Sequence, residues 1–166
     1  MDNLYAPWRG VYFENKPDGC IFCHIAAHAA DDDTNKVFYR DSLCYGVMNK
    51  YPYTPGHCML IPLVHVDSPT LLDDSHWLHL NTLARALCSL LLEGYGAQGV
   101  NMGANIRQSA GAGIPDHLHL HFVPRYRGDT NFITAIADSR VYGVDFEQIF
   151  TKIKQLGDKF LAPLRA

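Results

Sequence analysis

The chain has 166 residues, of which 48% are hydrophobic and 19% are charged, and this composition excludes a disordered or fibrous protein. Its formal net charge of −3 at pH 7 offers no basic excess for a nucleic-acid backbone, so we expect no nucleic-acid partner. Because no apolar run approaches the ~20 residues of a membrane span and the first residues lack a signal-peptide pattern, we expect a cytoplasmic protein without a membrane partner. The nine histidines are the feature of the composition that most needs an explanation.

The first half of the chain predicts short strands separated by turns. Residues 1–19 carry prolines and glycine and predict an extended lead-in, and a short helix is expected over residues 24–30. The acidic run at 31–33 predicts a solvated loop. Apolar character between turn residues predicts strands over residues 37–40, 43–49 and 57–64.

The second half adds two helices and two strands. Ser68 and Pro69 predict a helix start, because serine caps and proline fits the first helical position. Apolar residues at helical spacing predict a long helix over 75–93, ended by Gly94 and Gly96. Strands are expected over 99–105 and 117–124, and a final helix over 145–161. The helices interrupt the strands without alternating with them, which predicts a single α+β domain over 1–166 with a five-stranded, mainly antiparallel sheet.

The last predicted strand carries histidine at every second position. Successive side chains of a strand point to opposite faces, so the interleaved apolar residues suit a core face, while His117, His119 and His121 share the other. The outer two histidines are about 13–14 Å apart in an extended strand, too far to bind one metal together easily. A solvated strand face that happens to carry histidine is the alternative. The pattern favours a metal site, nucleophilic catalysis or both.

The segment before these histidines, SAGAGI at 109–114, is made of small residues. Such residues let backbone amides approach an anion closely, although the segment matches neither a Walker motif nor GxGxxG. Alone it is equally compatible with a flexible turn. Directly before the histidines, it predicts a phosphorus centre that amides hold against an imidazole.

Cys20 and Cys23 form a Cys-x-x-Cys pair with three interpretations. A redox motif normally follows a strand, and the preceding segment is Pro-rich. Half of a zinc site would need two further ligands, for which His57, His65 and His117 are candidates. The third interpretation is two unrelated thiols. The remaining cysteines are expected to be small buried hydrophobic residues: Cys44, Cys58 and Cys88.

The motif HLHLHFV at 117–123 resembles the His-φ-His-φ-His-φ-φ signature of the histidine triad superfamily of nucleotidyl hydrolases and transferases. The segments YGVMNKYPYTPGHCMLIPLVH and NIRQSAGAGIPDHLHLHFVPRYRGDTNF also resemble blocks of this superfamily. The stretch that continues through GDTNFITAI is similar to bacterial diadenosine tetraphosphate phosphorylases more than to the phosphoramidase branch. The resemblance implies a substrate that is a purine nucleotide or a dinucleoside polyphosphate.

The resemblance also implies the roles of individual residues. His119 would attack the α-phosphorus and form a nucleotidyl-histidine, and His121 would contact the α-phosphate. The implied nucleotide- and phosphate-binding residues are Asn49, Asn105, Ser109, Gly111, Gly113 and His121. Each asparagine is otherwise explained as a turn or cap residue. Gly113 departs from the family pattern, because many relatives carry Gln or Ser there, and this leaves the leaving-group preference open.

Some members of the superfamily resemble this chain in their metal ligands. The implied zinc ligands are Cys20, Cys23, His65 and His117. A closed Cys2His2 set makes the zinc structural, and no organic cofactor is implied. His57 is expected to support the active site as a hydrogen-bonding residue. The other histidines fall on predicted helices and are expected at the surface: His24, His28, His76 and His79.

Three functions therefore remain open. Phosphorolysis or hydrolysis of dinucleoside polyphosphates agrees best with the resemblance. Hydrolysis of nucleoside phosphoramidates or aminoacyl-adenylates would use the same site, and a nucleotide-binding signalling protein with incidental catalysis is the third possibility. The related proteins are usually homodimers whose sheets join edge to edge, so we expect a homodimer.

Overall fold

The computed structural model describes residues 19–137, 139 and 142–166. Apart from Gly19, the predicted lead-in lies outside the described residues. The strands are β1 (Val37–Arg40), β2 (Cys44–Met48), β3 (Cys58–Pro62), β4 (Gly99–Gly103) and β5 (Leu120–Arg125). Within the described residues they form one five-stranded sheet in the order β1-β2-β3-β5-β4, and every neighbouring pair is antiparallel. The predicted α+β class with an antiparallel sheet is confirmed.

The first helices differ from the prediction. Helix α1 (Ile21–Ala27) begins directly after Cys20, so the helix expected over 24–30 was placed too late. The acidic run at 31–33 is not a loop, because a 3₁₀ turn leads into helix α2 (Asp32–Asn35). Arg40 lies 2.5 Å from Asp32, and Lys154 pairs with Asp33. Arg40 and Lys154 belong to other elements of the fold and neutralise acidic side chains that the sequence pattern predicted to be solvated.

The long helix α3 (Asp74–Ser89) continues as a π-helix over Leu90–Tyr95. Its cap is Asp73, whereas Ser68 caps a separate 3₁₀ turn, so the predicted start at Ser68 and Pro69 is a turn of its own. The helix ends at Gly96, whose φ of +93° suits glycine. The prediction that Gly94 also ends the helix is wrong, since Gly94 lies inside the π-helix.

The C-terminal helix α5 (Phe146–Phe160) follows a short helix α4 (Phe132–Ala137) that the sequence analysis did not identify. The carboxylate of Asp145 caps α5 by accepting a hydrogen bond from the amide of Gln148. This agrees with the helix predicted over 145–161. Within the described residues, no helix has the length and apolar character needed to cross a membrane.

Two hydrophobic cores lie on opposite faces of the sheet. Helices α3 and α5 bury Leu83, Leu87 and Ile153 against Leu60 and Phe122 of the sheet, in what we call the helix-side core. Helix α1 covers the other face with a smaller cluster, the α1-side core, of Phe22 and Ile25 on strand residues of β1, β2 and β3. Cys44 and Cys58 are buried as predicted, while Cys88 is only partly buried.

The alternation predicted before and within β5 positions the site. Leu118, Leu120 and Phe122 pack into the helix-side core, and the histidines between them face the α1 side of the sheet. Strand β5 begins at Leu120, three residues after the predicted start at residue 117. The amide of Leu118 donates to the carbonyl of Val66, outside the sheet, and so does not pair with a neighbouring strand. The edge strand β4 likewise ends at Gly103, two residues before the predicted end.

Candidate active site

His119 is held in one tautomer by the backbone. The residue is 4% exposed, and its Nδ1 lies 2.8 Å from the carbonyl oxygen of His117. A carbonyl oxygen only accepts hydrogen bonds, so Nδ1 carries the proton and the lone pair of neutral His119 is on Nε2. Burial lowers the pKa of His119, against the smaller opposite effect of the hydrogen bond to His117. At pH 7 the ring is therefore neutral, with an available lone pair on Nε2, the arrangement that nucleophilic attack requires.

His121 is held in the opposite arrangement by a chain of hydrogen bonds. The amide of Tyr53 donates to Nδ1 of His57 at 3.1 Å, so the proton of neutral His57 is on Nε2. That Nε2 lies 3.0 Å from Nδ1 of His121 and donates to it. The proton of neutral His121 is then on Nε2. His121 can therefore donate a hydrogen bond through the ring nitrogen that His57 does not contact.

These imidazoles carry little positive charge at neutral pH. Burial, followed by the neighbouring His121, lowers the pKa of His57 to about 3. Burial, followed by His119, lowers the pKa of His121 to about 4. The rings of His119 and His121 lie edge to face with centroids 4.9 Å apart. Because the rings are neutral, this close packing costs no charge repulsion.

Asn49 lies beside this histidine chain. Its side-chain oxygen accepts a hydrogen bond of 2.8 Å from the amide of Tyr51. Its amide nitrogen lies 3.4 Å from Nε2 of His57 and 3.6 Å from the sulfur of Met59. Asn49, which the resemblance implies as a nucleotide-binding residue, is thus brought next to His57, half-buried at the end of β2.

The loop before the histidines forms a 3₁₀ turn over Gln108–Ala110. The amide of Gly111 donates to the carbonyl of Gln108 at 2.9 Å, and Gly111 adopts a φ of +88° that suits glycine. An amide contact from Gly111 to phosphate would therefore require this turn to open. The other loop residues assigned to phosphate, together with Asn105, are exposed: Asn105, Ser109 and Gly113.

Cys20, Cys23, His65 and His117 come together although they belong to three separate segments. Their ligand atoms all lie within 4.8 Å of one another. The sulfur of Cys20 is 3.3 Å from Nδ1 of His117, and the sulfur of Cys23 is 3.1 Å from Nδ1 of His65. Nε2 of His117 donates to the carbonyl of Pro62 at 2.9 Å, which leaves the lone pair of Nδ1 directed at the sulfurs. The donor set and this orientation fit a tetrahedral zinc ion.

The remaining histidines divide into two groups. His24 and His28 are exposed on and after α1, as predicted, and His76 is partly exposed against Asp73. The surface prediction is wrong for His79, whose Nε2 lies 2.7 Å from a carboxylate oxygen of Asp41. That carboxylate is fully buried and also accepts from Tyr39 and two backbone amides. The buried carboxylate needs this imidazole as a hydrogen-bond donor.

The sequence pattern picked out side chains that the fold brings together, but it did not reveal the groups that orient them. These groups are backbone atoms of His117, Pro62 and Tyr53. Any residue supplies a carbonyl or amide, so no side-chain pattern marks them. The Pro52, Pro55 and Gly56 turn is the one signal that an irregular backbone stands next to His57.

The HIT family model, described as HIT domain, matches residues 31–128. An AP-4-A phosphorylase of Mycobacterium tuberculosis is 38% identical over 149 residues, which cover 85% of this chain and 76% of that protein. A bis(5'-nucleosyl)-tetraphosphatase [asymmetrical] of Schizosaccharomyces pombe is 32% identical over 95 residues, 57% of this chain and 52% of that protein.

A solved structure with the same fold is a Zn-bound histidine triad family protein from Mycobacterium smegmatis. Its TM-score is 0.70 at 24% identity, covering 87% of this chain and 97% of that chain. The match to the family model spans the sheet from β1 to β5 and includes the three alternating histidines. With the extent of the similarity to the Mycobacterium tuberculosis protein, this shows that the chain belongs to the HIT domain family.

Proposed function

We propose that this protein transfers or hydrolyses the nucleotidyl group of dinucleoside polyphosphates through a nucleotidyl-His119 intermediate. The observation that carries the proposal is the hydrogen bond from Nδ1 of His119 to the carbonyl of His117, since it leaves Nε2 free to attack. The names of two relatives, an AP-4-A phosphorylase and a bis(5'-nucleosyl)-tetraphosphatase, support this substrate class.

In the first step, Nε2 of His119 forms a bond to the α-phosphorus. The bond from that phosphorus to the bridging oxygen breaks, and the leaving nucleotide departs with the electron pair. The imidazole gains positive charge, and the carbonyl of His117 stabilises it by accepting the Nδ1 hydrogen bond. In the second step, phosphate or water attacks the phosphorus, the bond to Nε2 breaks, and water as the nucleophile releases one proton to solvent.

His121 assists as a neutral hydrogen-bond donor. The chain from Tyr53 through His57 places its proton on Nε2, which is the arrangement needed to contact a non-bridging oxygen of the α-phosphate. The negative charge on these oxygens changes in the transition state, and a donor that is already oriented stabilises it without any rearrangement of the site. His57 would then be a positioning residue that acts through His121.

The four-residue cluster supports a structural zinc ion held by Cys20, Cys23, His65 and His117. Four protein ligands leave no open position for substrate, so the metal would stabilise the fold and take no part in the displacement. His117 would link the metal to the catalytic residue, because its carbonyl is the acceptor for His119. The Mycobacterium smegmatis histidine triad protein is described as Zn-bound, which supports the same ion here.

The test is incubation of the protein with diadenosine tetraphosphate, with and without inorganic phosphate, followed by separation of the products. ADP and ATP formed only with phosphate identify a phosphorylase, and AMP with ATP identifies a hydrolase. In His119→Ala we expect turnover to fall by about three orders of magnitude or more, because the nucleophile is lost, while nucleotide binding persists.

The matched control is His28→Ala, which removes an exposed histidine outside the site. It should keep the turnover of the unaltered protein. Mass spectrometry of protein denatured at alkaline pH, where the bond between phosphorus and the imidazole nitrogen survives, should detect a nucleotidyl adduct on His119 during turnover. An active His119→Ala variant, or turnover without such an adduct on any histidine, would contradict the proposed mechanism.

A further inference from the structure

Arg107 has a backbone conformation that side chains rarely adopt. Its φ of 65° and ψ of 177° fall in a region populated almost entirely by glycine. Such strain costs free energy and persists only where the surrounding structure holds it, and it clusters at ligand clamps and active sites. The same loop has glycines at 111 and 113, but an arginine at the position whose backbone conformation favours glycine, and this needs an explanation.

Arg107 lies four residues after β4, the strand whose last residue pairs with His121. Gly103 of β4 is paired with His121, so the chain leaves β4 beside that histidine. Ile106 packs against the helix-side core, whereas the guanidinium of Arg107 binds Asp67. Asp67 directly follows Val66, whose carbonyl accepts the amide of Leu118, the residue before His119.

The guanidinium is oriented but largely open to solvent. Its Nε lies 2.7 Å from one oxygen of Asp67, its Nη2 lies 3.4 Å from the other, and the side chain is 63% exposed. Asp67 therefore fixes the direction of the planar fork without enclosing it. Asp67 occupies the Nε–Nη2 edge, so the Nη1–Nη2 edge is the one that can bind phosphate through two parallel hydrogen bonds.

The proposed substrate needs such a group. Each phosphate of a dinucleoside polyphosphate carries negative charge, whereas His57 and His121 are neutral at pH 7 because burial lowers their pKa values. The segment 109–114 has a single side-chain hydrogen-bond donor, Ser109. The histidines can hold the α-phosphate, but they bring no permanent positive charge for the phosphates beyond it.

We propose that Arg107 is a specificity-determining residue that binds the phosphates beyond the α-phosphate, with Asp67 as the partner that orients it before substrate arrives. This inference rests on the proposed function for the reaction. It adds that the leaving group is recognised through its phosphates, so a nucleotide ester or amide without them is a poorer substrate.

The test compares kcat/KM for diadenosine tetraphosphate with kcat/KM for adenosine 5'-phosphoramidate, whose leaving group has no phosphate. Arg107→Gly and Arg107→Ala both remove the guanidinium, and only glycine relieves the backbone strain. In both variants we expect the ratio of the two values to fall about tenfold to a hundredfold, the effect of losing hydrogen bonds to a charged group. Arg107→Gly should also melt a few degrees above Arg107→Ala.

Lys50→Ala is the control, because it removes an exposed positive charge that follows Asn49. In Lys50→Ala the ratio of the two kcat/KM values should change less than twofold. The proposal is wrong if Lys50→Ala lowers the ratio as much as Arg107→Ala, since the effect is then general attraction. It is also wrong if the arginine variants leave the ratio unchanged, because both substrates are then affected equally or not at all.

The proposed function can fail separately from this inference. If the unaltered protein turns over neither substrate, the affinities for ATP and AMP replace the kinetic constants. Arg107→Gly and Arg107→Ala should then weaken ATP binding about tenfold or more relative to AMP binding. An equal effect on the two nucleotides would overturn the role of Arg107 whatever the reaction is.

Discussion

His119 and His121 have their protons on different ring nitrogens because one is fixed by a backbone carbonyl and the other, through His57, by a backbone amide. The carbonyl of His117 accepts from His119, which leaves a lone pair on Nε2. The amide of Tyr53 donates at the start of the chain that ends on His121, which places a proton on its Nε2. A carbonyl cannot donate and an amide cannot accept, so neither tautomer can reverse while these contacts last. Nε2 of His119 thereby has a lone pair and Nε2 of His121 a proton, which the proposed mechanism requires.

The neutral, buried histidines predict how stability depends on pH. The pKa values of His57 and His121 are lowered to about 3 and about 4, below the ordinary value of about 6.5 that applies when the chain is unfolded. Between pH 6.5 and pH 4 the unfolded chain binds protons that the folded protein does not. We expect the free energy of unfolding to fall as pH falls through this window, by about 1.4 kcal/mol per pH unit for each histidine.

Urea unfolding between pH 7 and pH 4.5 measures this slope. His57→Gln removes one of these buried groups and should reduce the slope by about 1.4 kcal/mol per pH unit, whatever its effect on stability at pH 7. His28→Gln replaces an exposed histidine and should keep the full slope. An identical slope in His57→Gln and the unaltered protein would show that His57 takes up a proton in the folded state.

For single residues, the sequence predicts which face of a strand a side chain occupies better than it predicts the groups that the side chain contacts. The alternation at 117–121 correctly predicted that the three histidines share one face, because strand geometry depends on neighbouring residues. The surface assignment of His79 was wrong because its partner Asp41 lies 38 residues away in sequence. The tautomers of His119 and His121 depend on backbone groups brought close only by folding, and a residue pattern does not encode those contacts.

Among the elements, β1 is fixed by two glycines that allow close packing on Phe38. A Cβ atom at Gly46 of β2 would lie 2.6 Å from the Phe38 ring. A Cβ atom at Gly157 of α5 would lie 2.8 Å from the Phe38 carbonyl oxygen. The ring can shift, but the carbonyl belongs to a paired strand and cannot. Gly157 therefore sets how closely α5 approaches the edge of the sheet.

We predict that Gly157→Ala destabilises the protein although alanine is the better helix former. Helix propensity favours alanine by about 1 kcal/mol, whereas overpacking against a fixed backbone costs about 1–3 kcal/mol. The net loss should be about 1–2 kcal/mol of unfolding free energy, measured by urea titration. Gly143→Ala is the control, since its Cβ would meet nothing within 4 Å, and it should change stability by less than about 0.5 kcal/mol. Stabilisation by Gly157→Ala would mean that α5 can move away from β1.

The elements differ in how well the sequence predicted them. Helix α5 was predicted within a residue at each end, because its cap, Asp145, and its apolar spacing are local. The helix at 32–35 was missed because Arg40 and Lys154, which balance its acidic residues, belong to a strand and to the last helix. The late start of β5 has the same kind of cause, since the amide of Leu118 turns to Val66.

Across the whole molecule, the two faces of the sheet are held by different means. The helix-side core is large and joins α3 and α5 to the sheet. The α1-side core is small, and His117 and His119 lie next to it through contacts with Phe22. On this face the cluster of Cys20, Cys23, His65 and His117 joins the start of α1 to the segments after β3 and before β5. The proposed zinc would replace the hydrophobic burial that this face lacks.

Removal of the metal should therefore lower both stability and activity. We predict that the protein as purified contains about one zinc ion per chain, and that treatment with a strong chelator lowers Tm by about 10 °C or more. The loss exceeds that of a typical point mutation, because structural zinc contributes directly to the free energy of folding. Turnover should fall as well, since His117 carries the carbonyl that orients His119.

Cys23→Ser should have the same effect as the chelator, because it removes one ligand while keeping the size of the side chain. Cys88→Ser is the control, since Cys88 is partly buried outside the cluster, and it should retain the metal. Adding zinc back should restore Tm in the chelated protein but not in Cys23→Ser. Metal-free protein that kept its full Tm would show that hydrogen bonds among the four side chains suffice to join α1 to the catalytic face.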